Sequence, residues 1–245
     1  ANFFDIPEGR IRWITPYTGG GFGGRLAFNA EPICIGLAKK AGQPVKLEYD
    51  RHEDFVAHDS RTPHKMDFKL GFKKDGTLSA LKIKLLADAG AYLGQSGMTT
   101  AVCMAFGLGH YRCPNTAGEM TIVYTNTPPT GGMRGYGNPE AMWALEQLMD
   151  VAAERLGLDP LDIRLKNFKK VGEPSALLLP IQSLALEQCV DAGAERIGWK
   201  EKRALTGNGM KRRGVGMATM THCSGAAPLL LEHGNAALKL NEDGS

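Results

Sequence analysis

The sequence has few cysteines and no long hydrophobic run, and each lack excludes a class of protein. Its five cysteines are scattered, and none belongs to a C-x-x-C pair. This pattern argues against a disulfide framework, a structural zinc site or an iron–sulfur cluster within the chain. No apolar stretch approaches the length of a membrane span and no secretory signal is recognisable, so we expect a cytoplasmic protein without a membrane partner.

The chain also lacks a strong excess of charge and the common catalytic histidine motifs. It carries 29 basic and 26 acidic residues, a net charge of +3. Its only basic cluster, residues 211–213, is typical of a solvated surface, so we expect no nucleic-acid partner. The six histidines have no metal-ligand spacing, and neither H-E-x-x-H nor G-x-S-x-G occurs.

Glycine, in contrast, is abundant, with 31 of the 245 residues. Residues 19–25 read Gly-Gly-Gly-Phe-Gly-Gly-Arg, between a predicted strand at 10–15 and a predicted helix at 27–41. Glycine lets a backbone approach a ligand closely, and the N-terminus of a helix binds anions. Phe22 is the exception in the run, because a loop built only for flexibility does not require an aromatic ring.

Three interpretations of the run stay open from these residues alone. It satisfies the dinucleotide-binding pattern G-x-G-x-x-G, with Glu48 and Asp50 near the distance expected of a ribose-binding acid. It can also bind another cofactor, or form a helix-entry turn whose glycines serve packing. A phosphate P-loop is disfavoured, because Arg25 and Leu26 replace its lysine and its hydroxyl residue, and the hydroxyl is the magnesium ligand.

A second glycine-rich loop, residues 131–137, also stands just before a predicted helix. Its Arg134 has glycines on both sides, which predicts a guanidinium group held against a ligand. The planar fork of arginine suits phosphates and oxo groups. Tyr136 either stacks on a planar substrate or is an ordinary aromatic residue at a helix entry.

Arg61 lies between the two loops, in an irregular link. This link is stiff, because Pro63 restricts Thr62 to an extended conformation. A rigid arginine could anchor an anionic or carbonyl group of a substrate. From the residues alone, however, a surface ion pair with Asp54 or Asp59 is favoured over that role.

Periodicity predicts an α+β fold with mixed sheets, hairpins and packed helices. The predicted helices cover 27–41, 138–156, 159–167 and 183–197, and the predicted strands cover 10–15, 45–50, 65–72, 78–86, 119–125, 214–221 and 236–240. Strands and helices do not alternate strictly, which disfavours a doubly wound parallel sheet.

A weak boundary near residues 171–180 predicts a first portion at 1–170, which contains both glycine loops and Arg61. The second portion, 171–245, is predicted to hold a connecting helix and the start of further α+β structure. Both ends of the sequence resemble interrupted elements, since the predicted strand at 236–240 leads into a hairpin turn signal without a returning strand. We therefore expect a fragment, or a subunit that a partner completes.

The two loops, with Arg61 between them, resemble the large subunit of the molybdenum hydroxylases, the xanthine dehydrogenase/aldehyde oxidase family. The matching segments are residues 19–25, 50–54, 133–137 and 158–167. They occur in the order of the family and extend over nearly the whole chain. Four ordered segments are more specific than one G-x-G-x-x-G pattern, so a Rossmann-type dinucleotide-binding domain becomes a minor alternative.

The resemblance implies roles for individual cofactor-binding residues. Phe22 would present its backbone N–H to an oxygen ligand of molybdenum, while Gly21 and Gly23 allow close approach. Arg134 would contact the metal–pterin centre. Neither Phe22 nor Arg134 would bind the metal directly.

The resemblance also implies a substrate site. Arg61 would orient the substrate and stabilise developing negative charge, and Tyr136 would pack on the substrate ring. Leu26 stands where purine oxidisers place a glutamate, which argues against a purine. The expected substrate is an N-heterocycle or an aldehyde, hydroxylated with oxygen derived from water.

The family's catalytic glutamate lies beyond this sequence, so the resemblance implies no catalytic base in the chain. The implied cofactor is molybdopterin, as a dinucleotide, with iron–sulfur clusters and FAD on partner domains or subunits. The implied partners are the rest of the large subunit, those iron–sulfur and flavin subunits and a small-molecule substrate. The isolated chain is then expected to be inactive, and the alternative is a non-catalytic binding module without cofactor.

Overall fold

A computed structural model describes residues 4–26, 30–203, 210–223 and 240–243. After a short 3-10 helix at Glu8–Arg10 come, in chain order, α1 (Ala30–Ala41), α2 (Arg51–Ala57), β1 (Ser60–Arg61), β2 (His64–Phe72), β3 (Leu78–Asp88), α3 (Ser96–Gly107), β4 (Asn115–Val123), β5 (Thr130–Gly131), α4 (Asn138–Leu156), α5 (Pro160–Asn167), α6 (Leu186–Ile197) and α7 (Trp199–Arg203). The α+β prediction is confirmed.

The main sheet has three strands in the order β2-β3-β4. β2 and β3 form the predicted antiparallel hairpin, with His64 opposite Ala87. β4 runs parallel to β3, and α3 provides the crossover that a parallel pair requires. From Leu81 to Ala87 every second residue of β3 is buried, namely Leu81, Ile83, Leu85 and Ala87, and Leu78 at the start of the strand is buried as well.

Two helices with clear end signals complete the core, since α4 packs against β2 and α3, and α5 packs against α4. α4 has a proline in its first turn and ends at Gly157, whose φ of 67° is typical of a helix C-terminus. α5 begins after Asp159, whose carboxylate accepts a hydrogen bond from the backbone N–H of Leu161 at 2.7 Å. The shared core includes Val102, Phe106, Leu145, Met149, Ile163 and Phe168.

A buried polar network connects α4 and α5 to residues 210–223. The Glu146 carboxylate accepts hydrogen bonds from the Tyr111 hydroxyl at 2.5 Å, from Arg164 Nε at 2.8 Å and from the Thr219 backbone N–H at 2.9 Å. Arg164 is fully buried and also donates to Asp150 at 2.8 Å. Buried charge of this kind is tolerated because every partner is satisfied.

Three predicted strands are wrong. Residues 11–15, 45–50 and 214–221 lack the ladder pairing that defines a strand, and Arg10 is the last residue of the 3-10 helix. Local alternation cannot show whether a pairing partner exists. The predicted strand at 236–240 lies outside the described residues except for Leu240, and residues 27–29 of the first predicted helix lie outside them too.

Three helices were missed by the sequence patterns, namely α2, α3 and the short α7. α2 begins with a capping box, in which Asp50 and Glu53 accept hydrogen bonds from each other's backbone N–H. α3 is apolar nearly all round, so it lacks the polar face that reveals a surface helix. None of the helices within the described ranges has the length and apolar character that a bilayer crossing requires.

The boundary near residues 171–180 stays a prediction. Val190 and Met217, from the second predicted portion, pack against the core that the sheet, α3 and α4 form.

Candidate functional site

The two glycine loops contact each other. The first loop (residues 19–25) and the second loop (residues 131–137) meet where Gly23 has a φ of 111°. A Cβ at Gly23 would lie 2.0 Å from the carbonyl oxygen of Gly132, so a side chain cannot be accommodated there. Glycine at this position is therefore required for the contact between the loops.

Phe22 and Arg134 face each other across this contact. The guanidinium carbon of Arg134 lies 5.8 Å from the centroid of the Phe22 ring, a cation–π geometry. Phe22 has a φ of 51° and its side chain is 65% exposed. A positive φ is strained for an aromatic residue, and such strain concentrates at functional sites.

Both residues keep donors available for a ligand. Among the described residues, no hydrogen-bond acceptor is paired with the backbone N–H of Phe22. In the same part of the chain, no carboxylate lies within ion-pair distance of Arg134. The two residues therefore offer an amide donor and an exposed cation at one place, which suits an anionic or oxygen-rich group.

Tyr136 is fixed by both its backbone and its hydroxyl. Its φ is 49°, and the flanking Gly135 and Gly137 also have positive φ. A Cβ at Gly137 would lie 2.1 Å from the carbonyl oxygen of Thr99, so the second loop is pressed against α3. The Tyr136 hydroxyl donates to Gln95 Oε1, and burial raises the pKa of Tyr136.

Leu26 lies beside the same loop. A Cβ at Gly132 would meet Leu26 Cδ1 at 2.5 Å and the Tyr136 ring at 3.2 Å. Gly132 thus lies between the leucine and the tyrosine, and Leu26 remains 52% exposed. An apolar side chain and an aromatic ring are therefore present on the two sides of one glycine.

Arg61 is brought to the second loop by a short parallel pairing. Ser60 pairs with Thr130 and Arg61 with Gly131, as β1 and β5. The Arg61 guanidinium donates from Nη1 to Glu140 Oε1 at 2.9 Å and from Nη2 to the carbonyl oxygen of Arg134 at 2.8 Å. The predicted ion pair with Asp54 or Asp59 is wrong, because the pairing moves Arg61 toward the start of α4.

Glu140 has titratable neighbours whose pKa values reflect their burial. Burial lowers the pKa of His64, against the opposing effect of Glu140. Burial, with the Glu140 charge, raises the pKa of the Cys103 thiol to about 12. Cys103 is therefore a neutral core residue, not a nucleophile.

The structure thus brings the sequence-predicted site residues into one surface region. Gly21 belongs to this region as part of the first loop, without a described contact of its own to the second loop. Sequence reasoning missed Gln95 and Glu140. In the sequence, Glu140 stands within the first turn of a predicted helix. Its position six residues after Arg134 was the one available signal that it could lie near the second loop. No local signal marks Gln95, because its contact with Tyr136 depends on the fold.

The donors at this site suit an oxygen-rich cofactor better than a directly bound metal. Arg61, Arg134 and the Phe22 amide are hydrogen-bond donors, and two glycines allow close approach. Within the described residues, no cluster of three or more histidine, cysteine, aspartate or glutamate side chains could hold a metal ion. The residues present therefore fit a cofactor that brings its own ligands to a metal.

Comparison with known proteins identifies such a family. The molybdopterin cofactor-binding domain model matches residues 1–168. The chain is 36% identical to a putative xanthine dehydrogenase molybdenum-binding subunit, XdhA, of Escherichia coli K12, over 98% of this chain and 33% of that protein. It is 32% identical to the nicotinate dehydrogenase large molybdopterin subunit of Eubacterium barkeri, over 83% of this chain and 49% of that protein.

A solved structure gives the same result. Aldehyde oxidoreductase from Desulfovibrio gigas superposes with a TM-score of 0.72 and 31% identity, over 77% of this chain and 21% of that one. The chain belongs to the molybdopterin cofactor-binding domain family, and it spans about a third of the length of the xanthine dehydrogenase subunit that it matches. The dinucleotide-binding alternative is not supported, since no strand precedes the first loop within the described residues 4–18.

Proposed function

We propose that this member of the molybdopterin cofactor-binding domain family forms part of the active site of a molybdenum hydroxylase of the xanthine dehydrogenase/aldehyde oxidase type. It acts as a section of the large subunit or as a split subunit. The observation that carries the proposal is the meeting of the two loops at Gly23 and Gly132, with Arg61 hydrogen-bonded to the Arg134 carbonyl. The reaction is the hydroxylation of an N-heterocycle or an aldehyde with oxygen from water.

The cofactor is held by Gly21, Phe22, Gly23 and Arg134. When bound, molybdopterin supplies the two-electron oxidation of the substrate carbon. The Phe22 amide donates a hydrogen bond to an oxygen of the cofactor, and Arg134 balances its negative charge. The loop contact at Gly23 and the Phe22 ring together bring the Arg134 guanidinium near the residue that supplies this amide.

The substrate is bound by Arg61, Tyr136 and Leu26. Arg61 stabilises negative charge that develops on the substrate, because preorganised donors are effective where charge appears in a transition state. Tyr136 offers its ring to a planar substrate, since its hydroxyl is already bonded to Gln95. Leu26 provides an apolar contact where a purine would require a hydrogen-bond partner. No general base is assigned within this chain.

The partners we propose are the remainder of the large subunit and the iron–sulfur and flavin subunits or domains that remove the electrons. The pterin is proposed to carry a nucleotide, and the assembly to operate in the cytoplasm. In this arrangement the chain contributes one wall of a cofactor site, and other segments contribute the rest.

A second candidate is a non-catalytic module, in which the isolated chain folds but holds no cofactor. It is favoured by the exposure of Phe22 and Leu26, and by the absence of buried residues from α1 and α2 within the described structure. Molybdenum content by mass spectrometry separates the two candidates. Metal retained by the chain purified alone would contradict this second candidate.

The proposed function is tested on the assembled enzyme with Arg134→Ala and the control Arg196→Ala, an exposed arginine on α6. We expect the Arg134 variant to lose most of its molybdenum and its turnover of nicotinate and benzaldehyde, while the control keeps both. Full molybdenum content and turnover in the Arg134 variant would contradict the assignment. Fast turnover of xanthine by the unmodified enzyme would contradict the inference drawn from Leu26.

A further inference from the structure

Glu140 is the one acidic side chain that contacts Arg61 among the described residues. It lies in the first turn of α4, and its side chain is only 13% exposed. Oε1 accepts the hydrogen bond from Arg61, whereas Oε2 is buried and has no partner in the described part of the chain. An acidic residue at a helix start needs only the helix dipole. Glu140 is instead paired with an arginine 79 residues away in sequence.

The two hydrogen bonds fix the Arg61 guanidinium at both of its terminal nitrogens. Nη1 is bonded to Glu140 and Nη2 to the Arg134 carbonyl. Arginine has five N–H donors, so three remain for a ligand. The Arg61 side chain is 36% exposed, so those donors are accessible while the plane of the group is fixed.

No neighbour replaces Glu140 in this task. His64 lies close enough to feel its charge, but the described bond of His64 goes to Thr100 at 3.2 Å. Cys103 also senses Glu140 and is buried. Without the carboxylate, Nη1 would lose its only described partner, and the guanidinium would keep a single anchor on the backbone of the second loop.

We propose that Glu140 is a positioning residue that acts through Arg61. It orients the guanidinium toward the substrate and, through the Arg61 bond to the Arg134 carbonyl, links the substrate side of the site to the cofactor side. The inference rests on the proposed function, because it requires that Arg61 contacts the substrate. Glu140 itself touches neither the substrate nor the cofactor.

A double-mutant cycle in the assembled enzyme tests this role, with nicotinate and benzaldehyde as substrates. We expect Glu140→Ala to lower kcat/KM about 30-fold, since small errors of orientation have large kinetic effects. Glu140→Gln lowers kcat/KM about fivefold, because its amide oxygen accepts the hydrogen bond without the charge. In an Arg61→Ala background, Glu140→Ala has no further effect, since residues that act through one another are not additive.

Two further measurements distinguish positioning from folding. Molybdenum content and the thermal midpoint of Glu140→Gln stay at the level of the unmodified enzyme. Millimolar guanidinium chloride restores part of the turnover of Arg61→Ala, and it fails to do so in Arg61→Ala with Glu140→Ala, which lacks the acceptor. The matched control is Glu154→Ala, an exposed residue on the same helix, which leaves kcat/KM within about twofold, as expected of a surface change.

Each contrary result has a distinct meaning. Additive losses in the double variant, or guanidinium rescue that does not depend on Glu140, would overturn the positioning role. Full turnover in Glu140→Ala together with a large loss in Arg61→Ala would overturn it and leave the proposed function intact. Full turnover in Arg61→Ala would overturn the positioning role and the substrate role of Arg61, whereas the loss of molybdenum and turnover in Arg134→Ala tests the proposed function separately.

Discussion

The core and the site of this molecule are built in different ways. The core consists of β2, β3 and β4 with α3, α4 and α5, and α4 alone buries seven residues. The site layer consists of the two loops and the described residues before β2. It contains α1 and α2, which bury none. Its large apolar side chains are exposed, among them Trp13, Ile14, Tyr17, Phe22 and Phe55.

The difference indicates that stability and site assembly depend on separate contacts. The core is stabilised by its own apolar packing and by the Glu146–Arg164 network. The site layer is joined to it by glycine contacts and by few hydrogen bonds. Changes in the core should therefore unfold the chain, whereas changes in the site layer should alter cofactor binding.

The largest expected effect is on the core, from Arg164→Ala. This change leaves the buried Glu146 carboxylate without its cation, which costs about 3–5 kcal/mol. Hydrogen exchange of the α4 amides in the assembled protein measures the loss of protection. The control is Arg155→Ala, an exposed residue on α4. A loss below about 1 kcal/mol, the scale of an exposed ion pair, would show that the network does not stabilise the core.

A smaller effect is expected from acid, again in the core. Burial, with the charges of Lys169 and Arg164, lowers the pKa of His110 to about 3. The unfolded chain therefore binds a proton below a pH of about 6.5 that the folded chain does not bind. Stability falls as the pH falls, by about 2 kcal/mol between pH 7 and pH 5.

Core hydrogen exchange at the two pH values, corrected for intrinsic exchange rates, measures this dependence. We expect His110→Gln to flatten it, whereas His52→Gln, at an exposed position on α2, leaves it unchanged. An equal pH dependence in the His110 variant would assign the effect to other groups.

The smallest expected effect on free energy belongs to the site layer, from Gly23→Ala. The added Cβ would overlap the Gly132 carbonyl oxygen and separate the loops. We expect cofactor affinity to fall about tenfold, or about 1.4 kcal/mol, measured as molybdenum content after dilution. Core hydrogen exchange stays unchanged. The control is Gly9→Ala, because an added Cβ there would meet nothing within 4 Å. Loss of core protection in Gly23→Ala would contradict the conclusion that core stability and site assembly depend on separate contacts.

The parts of the fold with local signals were predictable from the sequence. The bounds of α4 were predicted at both ends, because Pro139, the apolar periodicity and Gly157 all agree. The β2–β3 hairpin was predicted from alternation around the turn at Gly76. The predicted α6 starts three residues too early, at 183, because its first turn has no side-chain cap.

The contacts that assemble the site were not predictable in this way. The pairing of β1 with β5 involves two residues on each side, too few to produce a pattern. Glu140 as the partner of Arg61 follows from that pairing. The individual roles of Phe22, Arg134, Arg61, Tyr136 and Leu26 came from family resemblance and remain predictions that the variants above address.

The short pairing of β1 with β5 also has a consequence for variation in chain length. Residues 62–129 leave the site at Arg61 and return to it at Thr130, beside each other. The hydrogen bonds between β1 and β5 therefore set the distance between Arg61 and the second loop. The number of residues between β1 and β5 does not determine this distance. Insertions and deletions in the outer turns of that segment can accumulate while the geometry of the site stays constant.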